Sequence, residues 1–262
     1  MNESKRVLYM QDVSKPVALI TGGSRGIGAE TALALAEHGY DIAITYRNKA
    51  IRAQDVVTAV MQRNVRGLAL ACDMTHSNEG VSFFQKLMQW TDHLDVVVLN
   101  ASGGMERELV VADPQYPMHL NRDAQLHFVD AALPLMRQGG VIVFVTSHWA
   151  HLYGQMEQLP AYEPIAESKY AGEQALRARQ DEFAASGIRL IVVTGDLVEG
   201  TITPKLLERT APGLLARQRA SKGALPTAQE MGGQIAQAAM KTDLPSGSTV
   251  VVGSSLQSML FS

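Results

Sequence analysis

Short β-branched or aliphatic runs alternate with longer stretches of helical periodicity along nearly the whole chain. The runs at 17–21, 41–46, 67–72, 94–100, 141–147, 188–194 and 249–252 predict strands. Several, such as Val96-Val-Val-Leu99 and Val141-Ile-Val-Phe-Val145, are almost continuously apolar, the pattern of strands covered on both faces. The stretches between them predict helices over 26–38, 50–63, 78–91, 117–137, 162–186 and 227–240. Alternation of this kind implies right-handed crossovers and an α/β architecture with one doubly wound parallel sheet of about seven strands.

No internal repeat, linker or low-complexity tract interrupts this order, so residues 16–262 are expected to form one domain behind a flexible arm at 1–15. The longest departure from the rhythm, 195–225, follows the sixth strand. Loops leaving strand C-termini frame the ligand crevice in open parallel sheets, and a segment this long predicts a substrate lid. Within it, over 201–222, Leu206, Leu207, Leu214 and Leu215 recur at helical spacing among Lys205, Arg209, Arg217, Arg219 and Lys222, and only Glu208 in that stretch opposes those five cations. The leucines suit an apolar substrate. The cations suit either a phosphorylated carrier, as in a coenzyme A or phosphopantetheine thioester, or a solvated face beside an oligomer contact.

Composition narrows the classes. With 46% hydrophobic and 19% charged residues the chain can bury a sizeable core. A net charge of −3 argues against nucleic acid or an anionic membrane surface as the main partner. No run approaches the ~18–20 apolar residues of a membrane span, and 1–15 lacks the apolar core of a secretory signal. Cys72 is the only cysteine, so no internal disulfide can form and a cytoplasmic home is expected.

Two constellations carry chemistry. In Thr21-Gly-Gly-Ser-Arg-Gly-Ile-Gly28, Gly22, Gly26 and Gly28 follow a predicted strand and open a predicted helix. Gly22 permits the tight turn, Gly26 a close backbone approach to a pyrophosphate, and Gly28 close helix-to-strand packing; the N–H groups at the helix start then face the phosphate charge. The second constellation is Tyr162-Glu-Pro-Ile-Ala-Glu-Ser-Lys169. Seven helical residues turn about 700°, within ~20° of two full turns, and rise ~10.5 Å, so phenol and ammonium share one face without direct contact. Pro164 is tolerated if the helix starts near Tyr162.

From Pro16 to Gly253 the chain resembles the short-chain dehydrogenase/reductase family, whose loop has this Thr-Gly-x-x-x-Gly-x-Gly spacing. The resemblance implies a Rossmann-type fold and a dinucleotide held by Thr21, Gly22, Ser24, Arg25, Gly26, Ile27 and Gly28. It adds Asp73 against the adenine and the element Asn100-Ala101-Ser102-Gly103, where Ser102 departs from the usual Asn-Ala-Gly; Asp73 could equally cap a helix before Thr75. At the end of the second strand stand Tyr46 and Arg47 where an NAD enzyme wants a carboxylate. Two guanidiniums, Arg25 and Arg47, and no acid favour NADP(H), with NAD second.

Members of the family place Tyr four before Lys, where this chain has Ile165. The wider Tyr-x6-Lys spacing is similar to the NADPH-dependent enoyl-acyl-carrier-protein reductases. The resemblance implies catalytic roles for Tyr162 as proton donor, with its pKa lowered by the neighbouring charges, and for Lys169 on the nicotinamide ribose. It also implies Ser147 on the substrate oxygen and Asn121 at a proton-relay water. Tyr170 is turned about 100° from Lys169 and is a poor rival, whereas Tyr153 in the preceding loop stays open. His148, Trp149 and His151 suit a pocket wall or loop packing, and no metal is expected.

The resulting expectation is an NADP(H)-dependent reductase of a carbonyl, or its alcohol, in a mostly apolar substrate such as a 3-oxoacyl group. Enoyl thioester reduction is the close alternative. A catalytically silent dinucleotide-binding regulator, suggested by Ile165, is the alternative of another class. A homo-oligomer, dimer or tetramer, is expected by the resemblance, through the helices at 117–137 and 162–186.

Overall fold

The computed structural model describes residues 14–260, so the arm expected at 1–15 lies outside them but for its last two residues. Seven strands pair in parallel: β1 (Val17–Ile20), β2 (Asp41–Tyr46), β3 (Gly67–Ala71), β4 (Leu94–Leu99), β5 (Met136–Ser147), β6 (Arg189–Gly195) and β7 (Thr249–Val252). Their order is β3-β2-β1-β4-β5-β6-β7. The chain runs outward from β1 to β3, then returns to β4 on the other side, so the crevice opens where the ends of β1 and β4 part.

The continuous apolar runs serve two cores at once. Ala18 and Ile20 of β1 point to one face, packed by the helices Gly26–Glu37, Ala50–Met61 and Ala228–Met240. Val17 and Leu19 point to the other, against Phe83, Phe84, Phe128, Leu176 and Phe183. Side chains alternate across a strand, so a sheet covered on both faces needs apolar residues at every position. Each such fully buried Leu or Ile contributes roughly 1.5–3 kcal/mol. A third cluster joins Trp149, Tyr162 and Ile165 to Leu207 and Leu214, and covers the strand ends beside the crevice.

Three expected elements differ. The helix expected over 117–137 is broken into Tyr116–Met118, a π-helical turn His119–Asp123, the helix Ala124–Ala132 and a tight turn Leu133–Leu135. Pro134 lacks the N–H that a continuing helix requires, and the chain enters β5 at Met136. β5 is therefore longer than the expected 141–147. Its first half pairs irregularly with β4 around Gly139, whose φ of +87° suits only glycine. The helix expected over 162–186 divides into Glu163–Arg177 and Gln180–Ala185. Arg179, between them, leaves the helical region and pairs with Asp130 at 2.7 Å and Glu182 at 2.8 Å.

The segment expected to form a lid consists of two helices, Ile202–Thr210 and Leu214–Lys222. Glu208 turns back to accept from the Leu215 N–H at 3.0 Å and the Gly213 N–H at 2.5 Å, satisfying donors at the second helix start.

Candidate active site

The β1 turn is held from both neighbours. Thr21 Oγ1 accepts the N–H groups of Asn100 and Ala101, each at 2.9 Å. Asn100 Nδ2 donates to the carbonyls of Thr21 at 3.0 Å and Gly22 at 3.3 Å, and the Gly22 N–H donates to Thr45 Oγ1 at 2.9 Å. Gly22 and Gly26 adopt φ of +65° and +55°. A Cβ at Gly28 would lie 2.5 Å from Asn100 Nδ2 and 2.6 Å from the Gly22 carbonyl, so only glycine lets the helix start so close.

This turn opens into a cleft of about 700 Å³ along the strand ends. Gly22, Ser24, Arg25, Gly26 and Ile27 form one wall, and Tyr46, Arg47 and Asp73 a second. Asn100, Ala101 and Ser102 lie between them and the far end, where Ser147, Tyr162 and Lys169 stand. Thr21 and Gly28 are buried behind the turn and shape it. The strand order puts the glycine turn between Tyr46, Arg47 and Asp73 on one side and the ionisable groups at the far end, an arrangement that fits an elongated dinucleotide.

At the far end the Tyr162 hydroxyl donates to Ser147 Oγ at 3.0 Å. Ser147 Oγ also accepts the Ala150 N–H at 3.2 Å, so its own proton is left to donate. The serine thus caps the short helix His148–His151 and lines the cleft. Tyr162 immediately precedes the Glu163–Arg177 helix, with Pro164 inside the first turn where a missing N–H costs nothing. Its ring lies 5.7 Å from that of Trp149. Ile165, four before Lys169, is buried and does not line the cleft.

The protein's own groups do not on balance lower the tyrosine pKa. Tyr162 is 6% exposed, and burial raises its phenol above the ordinary value; the weaker effect of the Ser147 hydrogen bond opposes this. Lys169 is 7% exposed, and burial brings its ammonium down to about 8 against a smaller opposing effect of Glu173. The phenol therefore stays protonated at neutral pH. Two sequence turns apart, the groups share the cleft as the helix arithmetic requires.

Asn121 is drawn away from the cleft. Its Nδ2 donates to the Gly103 carbonyl and to Ser168 Oγ, both at 2.9 Å, and its Oδ1 accepts the Gly103 N–H at 3.3 Å. The side chain ties the loop after β4 to the Glu163–Arg177 helix. Asp73 Oδ1 accepts from Thr75 N at 3.1 Å and Thr75 Oγ1 at 2.7 Å, closing a turn rather than capping a helix, which begins only at Ser77. Tyr153 pairs with Tyr170 at 5.9 Å and is outside the cleft lining. Of the three aromatic residues after Ser147, only Trp149 reaches the cleft. His148 is fully buried, its Nδ1 3.0 Å from Thr194 Oγ1, and burial lowers its pKa to about 4. His151 Nδ1 lies 2.8 Å from Glu173.

The model of the short chain dehydrogenase family matches residues 16–210. The chain belongs to that family. Curated short-chain relatives include a 1-cyclohexenylcarbonyl-CoA reductase of Streptomyces collinus, 31% identical over 71% of this chain and 65% of its own length. A hydroxynaphthalene reductase of Aspergillus fumigatus is 32% identical over 77% of this chain and 73% of its own. The chain thus spans just under two thirds of the first of these. Among solved structures, a blue fluorescent protein from a metagenomic library, in complex with NADPH, superposes with a TM-score of 0.77. It is 25% identical, over 90% of this chain and 95% of its own.

Several cleft residues escaped the short-chain pattern. Lys49 and Arg52 add two cations beside Arg47, and Glu106 and Tyr116 arrive from the segment after β4. The lid cations are largely engaged: Lys222 pairs with Asp196 at 2.9 Å and Arg219 with Glu199 at 2.8 Å. Lys205 alone of the five lines the cleft. No helix among the described residues is long and apolar enough to cross a membrane.

Proposed function

We propose that this protein is an NADP(H)-dependent reductase that interconverts a carbonyl and its alcohol in a mostly apolar substrate. The observation that carries the reading is the Tyr162–Ser147 hydrogen bond of 3.0 Å, in the same cleft that the glycine turn lines. The bound nicotinamide would deliver the hydride, or take it in the reverse direction. Ser147 offers its free proton to the substrate oxygen and orients it. Tyr162, a protonated phenol at neutral pH, gives its proton to that oxygen as negative charge develops there. Lys169 supplies a buried positive charge that favours the phenolate left behind. The family relatives named as reductases and the NADPH-bound structural relative support this assignment.

The cations Arg25, Arg47, Lys49 and Arg52 along the cleft support NADP(H) over NAD. Cytoplasmic placement and self-association as a dimer or tetramer remain proposals resting on the sequence and the family resemblance. A second reading, enoyl thioester reduction, is favoured by the Tyr-x6-Lys spacing and by the unsaturated thioester in the name of the Streptomyces relative. Following NADPH consumption with matched ketoacyl and enoyl thioesters separates the two. Turnover of the enoyl substrate alone would overturn the carbonyl reading, and binding without turnover of either would leave the regulator.

A further inference from the structure

The carboxylate missing from the end of β2 is supplied by a distant part of the chain. Arg47 Nη1 donates to the Tyr116 hydroxyl at 2.6 Å, while Nη2 lies 3.5 Å from Glu106 Oε1. Glu106 is 59 residues further along, in the segment after β4. Its Oε2 accepts the Gly104 N–H at 2.8 Å, which fixes the carboxylate in direction. Burial, reinforced by Glu106, pushes the Tyr116 phenol up to about 12, so Tyr116 is a neutral acceptor for Arg47 at any ordinary pH. All three side chains line the cleft on the wall that carries Lys49 and Arg52.

A ribose 2′-hydroxyl entering here can donate to the carboxylate. A 2′-phosphate meets a like charge and must take Arg47 from it. We propose that Glu106 is a specificity-determining residue, whose carboxylate competes with the 2′-phosphate for the Arg47 guanidinium and so moderates the preference for NADP over NAD. The inference rests on the dinucleotide reading above and deepens it. Tyr116 holds Arg47 at the cleft wall, Glu106 sets how much of its charge is available, and Arg25, Lys49 and Arg52 supply the remaining attraction.

The test is a binding titration, independent of turnover, with NADP+, NAD+, adenosine 2′,5′-bisphosphate and 5′-AMP. Glu106→Gln keeps an acceptor for the Gly104 N–H and removes the charge; Glu106→Ala removes both. Both sites are partly solvent-exposed, so the screened effect is modest. The Kd ratio of NAD+ to NADP+ is expected to rise about three- to tenfold in both variants, with the bisphosphate gaining and 5′-AMP little changed in Glu106→Gln and weakened in Glu106→Ala. The gain is expected to shrink at high salt. An unchanged or lowered ratio in variants that still bind dinucleotide overturns the role of Glu106 and leaves the dinucleotide reading intact. Wild-type protein that binds none of the four ligands overturns both.

Discussion

Lys169 and Tyr162 are both buried groups, and burial moves their pKa values in opposite directions: it lowers that of the ammonium to about 8, still mostly charged at neutral pH, and raises that of the phenol, which stays protonated. Tyr162→Phe keeps the ring against Trp149 and deletes only the proton. It is expected to lower kcat about 10²–10⁴-fold while NADP+ affinity stays within about twofold, read by steady-state kinetics beside a binding titration. Lys169 makes a prediction about stability. Its folded pKa of about 8 lies below the ordinary 10.5. Between those two pH values the unfolded chain holds a proton that the native protein has lost, so stability rises with pH across that window and the burial penalty is complete below it. Lys169→Met should therefore stabilise the protein at pH 7 by roughly 1–3 kcal/mol in urea denaturation, and flatten the rise between pH 8 and 10.5. It should abolish turnover at the same time, because the charge that favours the phenolate is gone. A variant no more stable than wild type would show that the ammonium is better solvated than its burial implies.

At the scale of elements, the Glu163–Arg177 helix places both groups, and its seat depends on Gly172. A Cβ there would stand 2.4 Å from the Asn121 carbonyl oxygen, in the π-helical turn His119–Asp123. Backbone cannot retreat as a side-chain tip can. Gly172→Ala is expected to cost about 1–3 kcal/mol or more, and to impair turnover by displacing the helix. Gly80→Ala meets nothing within 4 Å in the helix Ser77–Trp90, and should stabilise by about 0.5–1 kcal/mol; thermal denaturation of the pair checks both signs. The same elements show what a sequence reveals. β2 and β7 have the expected bounds, and the glycine turn has the expected residues, because two-sided burial and a strand-turn-helix leave local marks. The break at Pro134, the start of β5 in exposed Arg137-Gln138-Gly139 and the Arg179 clamp on Asp130 depend on partners distant in sequence. Asn121 matched a helix position, but the π turn and its three hydrogen bonds set where its amide goes. Glu106 carries no motif at all; only the folded loop shows that it answers Arg47.

Over the whole molecule, the segment proposed as a lid joins the sheet through charge as well as leucine. Lys222, at the end of the second lid helix, pairs at 2.9 Å with Asp196, just beyond β6; the two side chains are 8% and 2% exposed. Asp196 also accepts from the Ser254 hydroxyl, beyond β7, so one carboxylate binds the lid and the C-terminal segment to the cleft floor. Burial alone would raise that carboxyl, yet the Ser254 hydrogen bond and the Lys222 ammonium together hold it below its usual value. A lowered folded pKa means the stabilisation is present above pH 3.8 and is lost as pH falls through the folded value. Removing one partner of such a pair leaves the other charge buried, at about 3–5 kcal/mol, whereas an exposed pair such as Arg219–Glu199 contributes up to about 1 kcal/mol. If the 195–225 segment acts as a lid, it would relieve the penalty by opening, which makes the expected signature local. Lys222→Ala should speed limited proteolysis within 195–225 and raise KM for the apolar substrate several-fold, with NADP+ affinity nearly unchanged; Arg219→Ala should do neither. Equal proteolysis in the two variants would show that the leucine cluster alone holds the lid, and that the buried ion pair adds nothing to its closure.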